Sequence, residues 1–347
     1  MKTEFYTVTD PRASADIIAR AAQIIRDGGL VGMPTETVYG LGASAYSADA
    51  AAKIYAAKGR PSDNPLIVHV AEPADAEAIA YVPPVYYKLA EKYMPGPLTV
   101  IMPKRSCIPD GVTGGLSTVA VRCPAHPVAR ALIEAAGVPI AAPSANRSGC
   151  PSPTTAEHVL RAMDGRIEMI LDGGPCEIGL ESTVIRLTEN GCEILRPGAV
   201  TEWMLAQVCA SVTVAKAVID PNLAGDKPLS PGMKYKHYAP AAEVVLVDAD
   251  EEGFASYVRA HCTPEEAVAV SDEKAAAFAP VNRLSCGTAD TAEEHSRTMF
   301  AILREADDRG YKKVYIHLPP AEGSYLALYN RLIRAAGGKI VRIEKTY

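Results

Sequence analysis

Residues 34–69 read PTETVYGLGASAYSADAAAKIYAAKGRPSDNPLIVH, and this stretch decides the fold. An apolar run, Leu30 to Met33, leads into the polar trio Thr35, Glu36 and Thr37 and then Gly40 and Gly42, the pattern of a strand emptying into a site-forming loop with a glycine-flanked turn. Ala48 to Ala57 is mostly alanine with Ile54 among them, which predicts a helix closed by Lys58-Gly59-Arg60-Pro61. Lys58 and Arg60 then fall at a helix exit, ahead of Asn64 and a second apolar strand, Leu66 to Val70. Two cations at element ends beside a hydroxyl-rich loop suit an anion, since arginine offers a planar fork and lysine a point charge. A solvated helix end is an equal reading of these residues taken alone.

Upstream, the apolar spacing of Ile17, Ile18, Ala21, Ala22, Ile24 and Ile25 predicts an amphipathic helix over 13–27, ended by Gly28-Gly29. Downstream come helices near 75–80 and 85–93, a strand over 98–102, a loop over 108–115, and a strand over 117–123 carrying Thr118 and Arg122. A helix over 128–136 precedes a strand over 139–146 that ends in a polar turn, with Ser144 and Asn146 on one side by the period of two. A helix over 155–163 and strands over 169–171, 182–187 and 193–195 finish the unit. Strands and helices mix without strict alternation, which predicts an α/β domain with a twisted mixed sheet over residues 1–210. Residues 211–241, rich in proline and glycine, read as a linker. From 242 to 347 strand and helix alternate, which implies a smaller parallel-sheet domain of the Rossmann kind. It lacks G-x-G-x-x-G, so its fold does not assign NAD.

The totals agree. A chain of 347 residues, 48% hydrophobic and 22% charged, exceeds what one core usually spans, roughly 250–300 residues, and so predicts two domains. With 35 Lys+Arg against 41 Asp+Glu, no strongly basic face advertises nucleic acid. The 8 cysteines are scattered without a C-x-x-C pair, so neither a zinc site nor a disulfide framework is expected. The start, MKTEFYTVTDPR, has no apolar signal region and no run of about 18 apolar residues follows, so the expectation is a cytoplasmic protein without a membrane partner.

No G-x-x-x-x-G-K-[ST] is present, so a nucleotide would not be held by a Walker loop. Above background stands a constellation: Lys58, Arg60, Arg122 and Arg196 at element ends, with Thr35, Thr37, Ser144, Asn146, Ser152 and Ser182 in polar turns. Together they suit a ligand with phosphate and carboxylate groups. Taken singly, each arginine is better read as pairing with a surface acid. His69, on an apolar strand, reads first as a core histidine. The segment SPGMKYKHYAP, residues 230–240, interleaves cations and tyrosines as a lid over a nucleotide would. No carboxylate pair and no Ser-His-Asp or Cys-His spacing stands out, so positioning and charge stabilisation are expected over covalent catalysis.

In order, PTETVYGLGASA, KGRPSDNPLIVH, STVAVRCP, APSANRSG, ESTVI, LRPGAV and SPGMKYKHYAP resemble the long, two-domain threonylcarbamoyl-AMP synthases, whose first domain is YrdC-like. The resemblance spans essentially the whole chain, although Tyr325 and Leu326 depart from a more glycine-rich pattern in the C-terminal helix. It implies synthesis of threonylcarbamoyl-adenylate from L-threonine, bicarbonate and ATP with release of pyrophosphate, the first step towards threonylcarbamoyladenosine beside the anticodon of tRNA. It implies Lys58 and Arg60 as catalytic residues, and Thr37, His69, Arg122, Ala142 and Ser182 around threonine. For ATP it implies Arg60, Asn64, Thr118, Ser144, Asn146, Ser152, Arg196 and Tyr235. Mg²⁺ would come with ATP and not from a protein-built site, and tRNA-modifying partner proteins would take the product, with at most a weak tRNA contact. Two other readings stand beside it: an RNA-binding or regulatory YrdC-like protein without turnover, and a different carbamoyl transferase that depends on carbamoyl phosphate.

Overall fold

The computed structural model describes residues 2–220, 223 and 238–343. Eleven strands form the first sheet: β1 (Glu4–Thr7), β2 (Val31–Met33), β3 (Gly40–Ser44), β4 (Ile67–His69), β5 (Leu98–Pro103), β6 (Thr118–Arg122), β7 (Ile140–Ala141), β8 (Met169–Asp172), β9 (Thr183–Thr188), β10 (Gly191–Arg196) and β11 (Ser211–Val214). They lie in the order β1-β8-β2-β3-β7-β4-β6-β5-β9-β10-β11. Pairing is mixed: β4 runs parallel to β6 and antiparallel to β7, for example. The sheet is the mixed α/β sheet expected.

The organising stretch folds as a loop, a strand and a helix. The glycines expected in a turn lie instead in β3, fully buried and antiparallel to β2. A Cβ on Gly42 would sit 2.9 Å from Ile140 Cγ2, so the glycine permits close approach of a neighbouring strand. The helix Ala48–Lys58 starts at Ser47, whose Oγ accepts the Ala50 N–H at 3.1 Å, and ends at Gly59 in the left-handed region, φ 64°. That cap places Lys58 and Arg60 on either side of a sharp exit. The strand expected over 139–146 shrinks to Ile140–Ala141, because the chain turns at Pro143 to carry Ser144 and Asn146 along a loop. The expected loop over 108–115 holds a short helix, Asp110–Thr113. The segment expected to be all linker begins with β11, paired to β10, and a helical turn, Lys216–Ile219. Alternating Val212 and Val214 can pair there before the prolines begin.

The second sheet contains β12 (Glu243–Asp248), β13 (Ala267–Val270), β14 (Arg283–Ser285), β15 (Lys313–His317) and β16 (Ile340–Arg342), in the order β14-β13-β15-β12-β16. All its pairs are parallel. This is the Rossmann-like arrangement expected, with β14 and the 3-10 helix Asp272–Phe278 unforeseen. Helices Glu251–His261, Ala292–Asp308 and Leu326–Ala335 complete it. All ten residues of the last helix are buried. Its Leu328 and Leu332 share an apolar cluster with Phe300 and Tyr238, and with Val38 and Leu180 of the first domain. The two domains therefore meet through a continuous apolar junction. Among the described residues, no helix is long and apolar enough to cross a membrane.

Candidate functional site

One cleft gathers the constellation. Its lining includes Thr35, Thr37, Lys58, Arg60, His69, Arg122, Ala142, Ser144, Asn146, Ser152, Ser182 and Arg196, together with Glu181 and Tyr238. Lys58 is 2% exposed, and its Nζ donates to Ser144 O and, at 2.6 Å, to Asn146 O. It thus ties the helix exit to the loop after β7. Burial, with the Arg60 guanidinium beside it, holds the ammonium well below the ordinary lysine pKa. Arg60 reaches Pro65 O at 3.2 Å and Asn64 O at 3.4 Å.

Arg122, at the end of β6, donates from Nη2 to Glu36 Oε1 at 2.7 Å and from Nε to Gly96 O at 3.3 Å. The other oxygen of Glu36 accepts the Ala125 N–H at 3.1 Å. Burial, the largest single influence, would raise the Glu36 pKa, yet Arg122 and the backbone N–H groups together hold the carboxyl below its usual value. Arg196, at the end of β10, donates to Ser182 O and Ser182 Oγ, both at 3.0 Å. Its burial lowers the guanidinium to about 10, still cationic at neutral pH. Ser182 Oγ also lies 2.7 Å from Thr99 Oγ1. Ser152 Oγ donates to Glu181 Oε1 at 2.6 Å.

His69 ends β4 at 3% exposure, and its Nδ1 has no hydrogen-bond partner among the described residues. Burial, with Arg122 next, lowers its pKa to about 3, so the ring is neutral. Asn146 keeps its Oδ1 without a partner while Nδ2 donates to Arg147 O and Cys150 O. Orphaned buried acceptors carry an energetic cost that a ligand relieves.

Of the residues expected from the sequence, Asn64 and Thr118 stand outside the lining. Asn64 is buried and holds Tyr55 and Arg60 through its carbonyl, and Thr118 opens β6 opposite Pro103. Tyr235 lies outside the described residues. Sequence reasoning missed Glu36, Glu181, Tyr238 and Arg331. The first two sit inside the quoted PTET and EST blocks, and Tyr238 in the tyrosine-bearing segment, so their signal was present. Arg331 comes from the other domain, and no spacing foretells it.

The carboxylates at the cleft, Glu36 and Glu181, are each held by an arginine, and no group of three or more metal-ligating side chains occurs among the described residues. This donor set does not fit a protein-held magnesium. A buried cleft with three arginines, a lysine and orphaned polar atoms defines a two-domain α/β protein built to take an anionic ligand.

The comparisons with known proteins sharpen that class. A family model described as "Telomere recombination" matches residues 23–198, and one described as "Threonylcarbamoyl-AMP synthase, C-terminal domain" matches 200–337. The threonylcarbamoyl-AMP synthase of Bacillus subtilis (strain 168) is 44% identical over 352 residues, covering 99% of this chain and 100% of its own. That of Pyrococcus abyssi is 44% identical over 330 residues, 93% of this chain and 95% of its own. A crystal structure of P. abyssi Sua5 complexed with L-threonine superposes with TM-score 0.89 at 41% identity, covering 99% of this chain and 100% of that one. The chain belongs to the two-domain threonylcarbamoyl-AMP synthase family.

Proposed function

We propose that this chain is a threonylcarbamoyl-AMP synthase, an ATP-using transferase that joins L-threonine, bicarbonate and ATP into threonylcarbamoyl-adenylate and pyrophosphate. The observation that carries the reading is the convergence of Arg60, Arg122 and Arg196, from three separated blocks, on one cleft.

The chemistry needs what the cleft supplies. The threonine amine attacks the carbon of bicarbonate, a C–O bond breaks and water leaves with an amine proton to give the carbamate, whose oxygen then attacks the α-phosphorus as the bond to pyrophosphate breaks. Carbamate and mixed anhydride both decay in water, so the site must be enclosed. On this reading Thr37, His69, Arg122, Ala142 and Ser182 surround threonine, with Arg122 facing its carboxylate. Arg60, Ser144, Asn146, Ser152 and Arg196 take the nucleotide, and Lys58 with Arg60 offsets phosphate charge. Mg²⁺ enters as the counter-ion of ATP, part of the substrate. The neutral ring of His69 offers a hydrogen bond without adding charge beside Arg122.

The cleft has a cavity volume of about 60 Å³, far under the roughly 300–1,000 Å³ of a ligand site. Of the segment 230–240 expected to cover a nucleotide, Tyr238 lines the cleft and packs against Phe300 with ring centroids 5.3 Å apart, while Tyr235 lies outside the described residues. The adenylate then passes to tRNA-modifying proteins, and the acidic balance of the chain leaves at most a weak contact with tRNA itself.

The test is pyrophosphate release and adenylate detection by mass spectrometry, with each of the three substrates omitted in turn. Product that requires all three is expected. No turnover would point to a binding protein, and dependence on carbamoyl phosphate in place of bicarbonate to a different carbamoyl transferase.

A further inference from the structure

A second, larger cavity lies in the C-terminal domain, about 490 Å³, and the reaction proposed above makes no use of it. It sits at the carboxyl edge of the second sheet. Its walls come from the segments that follow β12 (Glu251, Phe254), β13 (Ser271 to Phe278) and β15 (Leu318 to Pro320). The chain leaves β13 towards β14 on one side and leaves β15 towards β16 on the other. These two strands are neighbours, so the cavity occupies the point where the winding reverses, the place where open parallel sheets take ligands.

Two features of the lining describe the ligand. The walls are flat and apolar: Phe254 stacks on His317 with centroids 4.9 Å apart and packs against Phe278 at 5.3 Å, and Tyr325 and two prolines close the rim. The polar groups are mostly acceptors. Three carboxylates, Glu251, Glu273 and Asp290, face one ammonium, and that ammonium, Lys274, is already bound to Glu251 at 2.7 Å and Asp290 at 2.5 Å. His295 approaches the remaining oxygen of Asp290 at 3.2 Å. Ser271, 1% exposed at the end of β13, lines the cavity with an Oγ that has no hydrogen-bond partner among the described residues.

Phosphate is disfavoured. The helix Glu251–His261 begins at Asp250, whose carboxylate already accepts the Gly253 N–H at 2.7 Å, and Glu251 and Glu252 fill its first turn. A phosphate at that terminus would meet three carboxylates in place of free N–H groups. The lining calls for a planar ring that carries hydrogen-bond donors and no anionic group.

We propose that this cavity is a second ligand site, for an unphosphorylated nucleoside whose base lies against the Phe254–His317 wall and whose hydroxyls or amino group donate to the carboxylates and pair with Ser271. The site is independent of the cleft in the first domain.

Calorimetric titration of the full chain with adenosine, in the presence of L-threonine and a non-hydrolysable ATP analogue, tests it. One-site binding is expected, at least tenfold weaker in Ser271→Val and in Ala277→Trp, which places bulk at the exposed rim. Adenosine monophosphate should bind at least tenfold more weakly than adenosine. Arg60→Ala, altered only in the other cleft, should bind adenosine as the parent does. If either cavity variant fails to fold, the other and the monophosphate comparison still decide. No saturable binding, equal affinity for the monophosphate, or loss of binding in Arg60→Ala instead would overturn the proposal.

Discussion

Arg331, wholly buried in the helix Leu326–Ala335, donates from Nε to Glu181 Oε2 at 2.9 Å across the junction of the two domains. The same guanidinium reaches Pro197 O at 2.9 Å and Asn330 Oδ1 at 3.1 Å. The other oxygen of Glu181 holds Ser152 of the cleft. A residue of the second domain thus fixes a wall of the first domain's site.

Arg331→Met should therefore cost about 3–5 kcal/mol of stability, because it strands the buried Glu181 carboxylate. Urea denaturation at neutral pH measures this. Pairing it with Glu181→Leu should recover part of the loss, since both desolvated charges are then gone. A single variant within about 1 kcal/mol of the parent would show that the junction does not depend on the pair.

Arg60→Ala should lower kcat/KM for ATP by the equivalent of about 3 kcal/mol, the usual cost of removing a charge-assisted contact that strengthens in the transition state. Steady-state pyrophosphate release reads it. Near-parental kinetics would remove Arg60 from the proposed phosphate contacts.

Arg122→Lys keeps the charge but loses the planar fork that meets Glu36 and Gly96. Its KM for threonine should rise by about tenfold or more, with the KM for ATP changing less. The reverse pattern would move Arg122 to the nucleotide side of the cleft.

Lys58→Met should loosen the loop after β7, since Nζ is the tie between the helix exit and the carbonyls of Ser144 and Asn146. Hydrogen exchange over residues 143–150 should accelerate and the KM for ATP rise. Unchanged exchange in that loop would leave Lys58 a charge and not a tether.

The sequence made legible whatever depended on local pattern. The helix after Ser47 and its stop at Gly59 follow from capping and left-handed backbone, and the alternation after residue 242 follows from period. Lys58, Arg122, Ser144 and Arg196 stand out in the sequence as cations at element ends or a hydroxyl in a polar turn, and one cleft gathers them. What escaped was decided by distant packing. Gly40 and Gly42 read as a turn, yet the approach of β7 makes them a strand. Arg331 reads as one more helical arginine, and only the docking of its helix brings it to Glu181. Asn64 stands outside the lining, its backbone carbonyl accepting from Tyr55 and Arg60, while its buried side-chain Oδ1 has no hydrogen-bond partner among the described residues.

His69 offers a test that needs no substrate. Its pKa is lowered from 6.5 to about 3, chiefly by burial and next by Arg122. The unfolded chain then binds a proton below about pH 6.5 that the folded protein refuses, so stability is full above that value and falls as the pH drops towards 3. At roughly 1.4 kcal/mol per unit, the loss between about pH 7.5 and pH 5 is about 2 kcal/mol from this ring. His158, lowered to about 4, acts in the same direction, and the depressed Glu36 and Glu181 act only once their own carboxylate range is entered. The difference between parent and His69→Asn isolates the ring: the variant should lose about 2 kcal/mol less over that interval in urea titrations. Parallel losses in the two proteins would mean that His69 takes up its proton in the folded state, and the neutral hydrogen-bonding role proposed for it beside Arg122 would go with it.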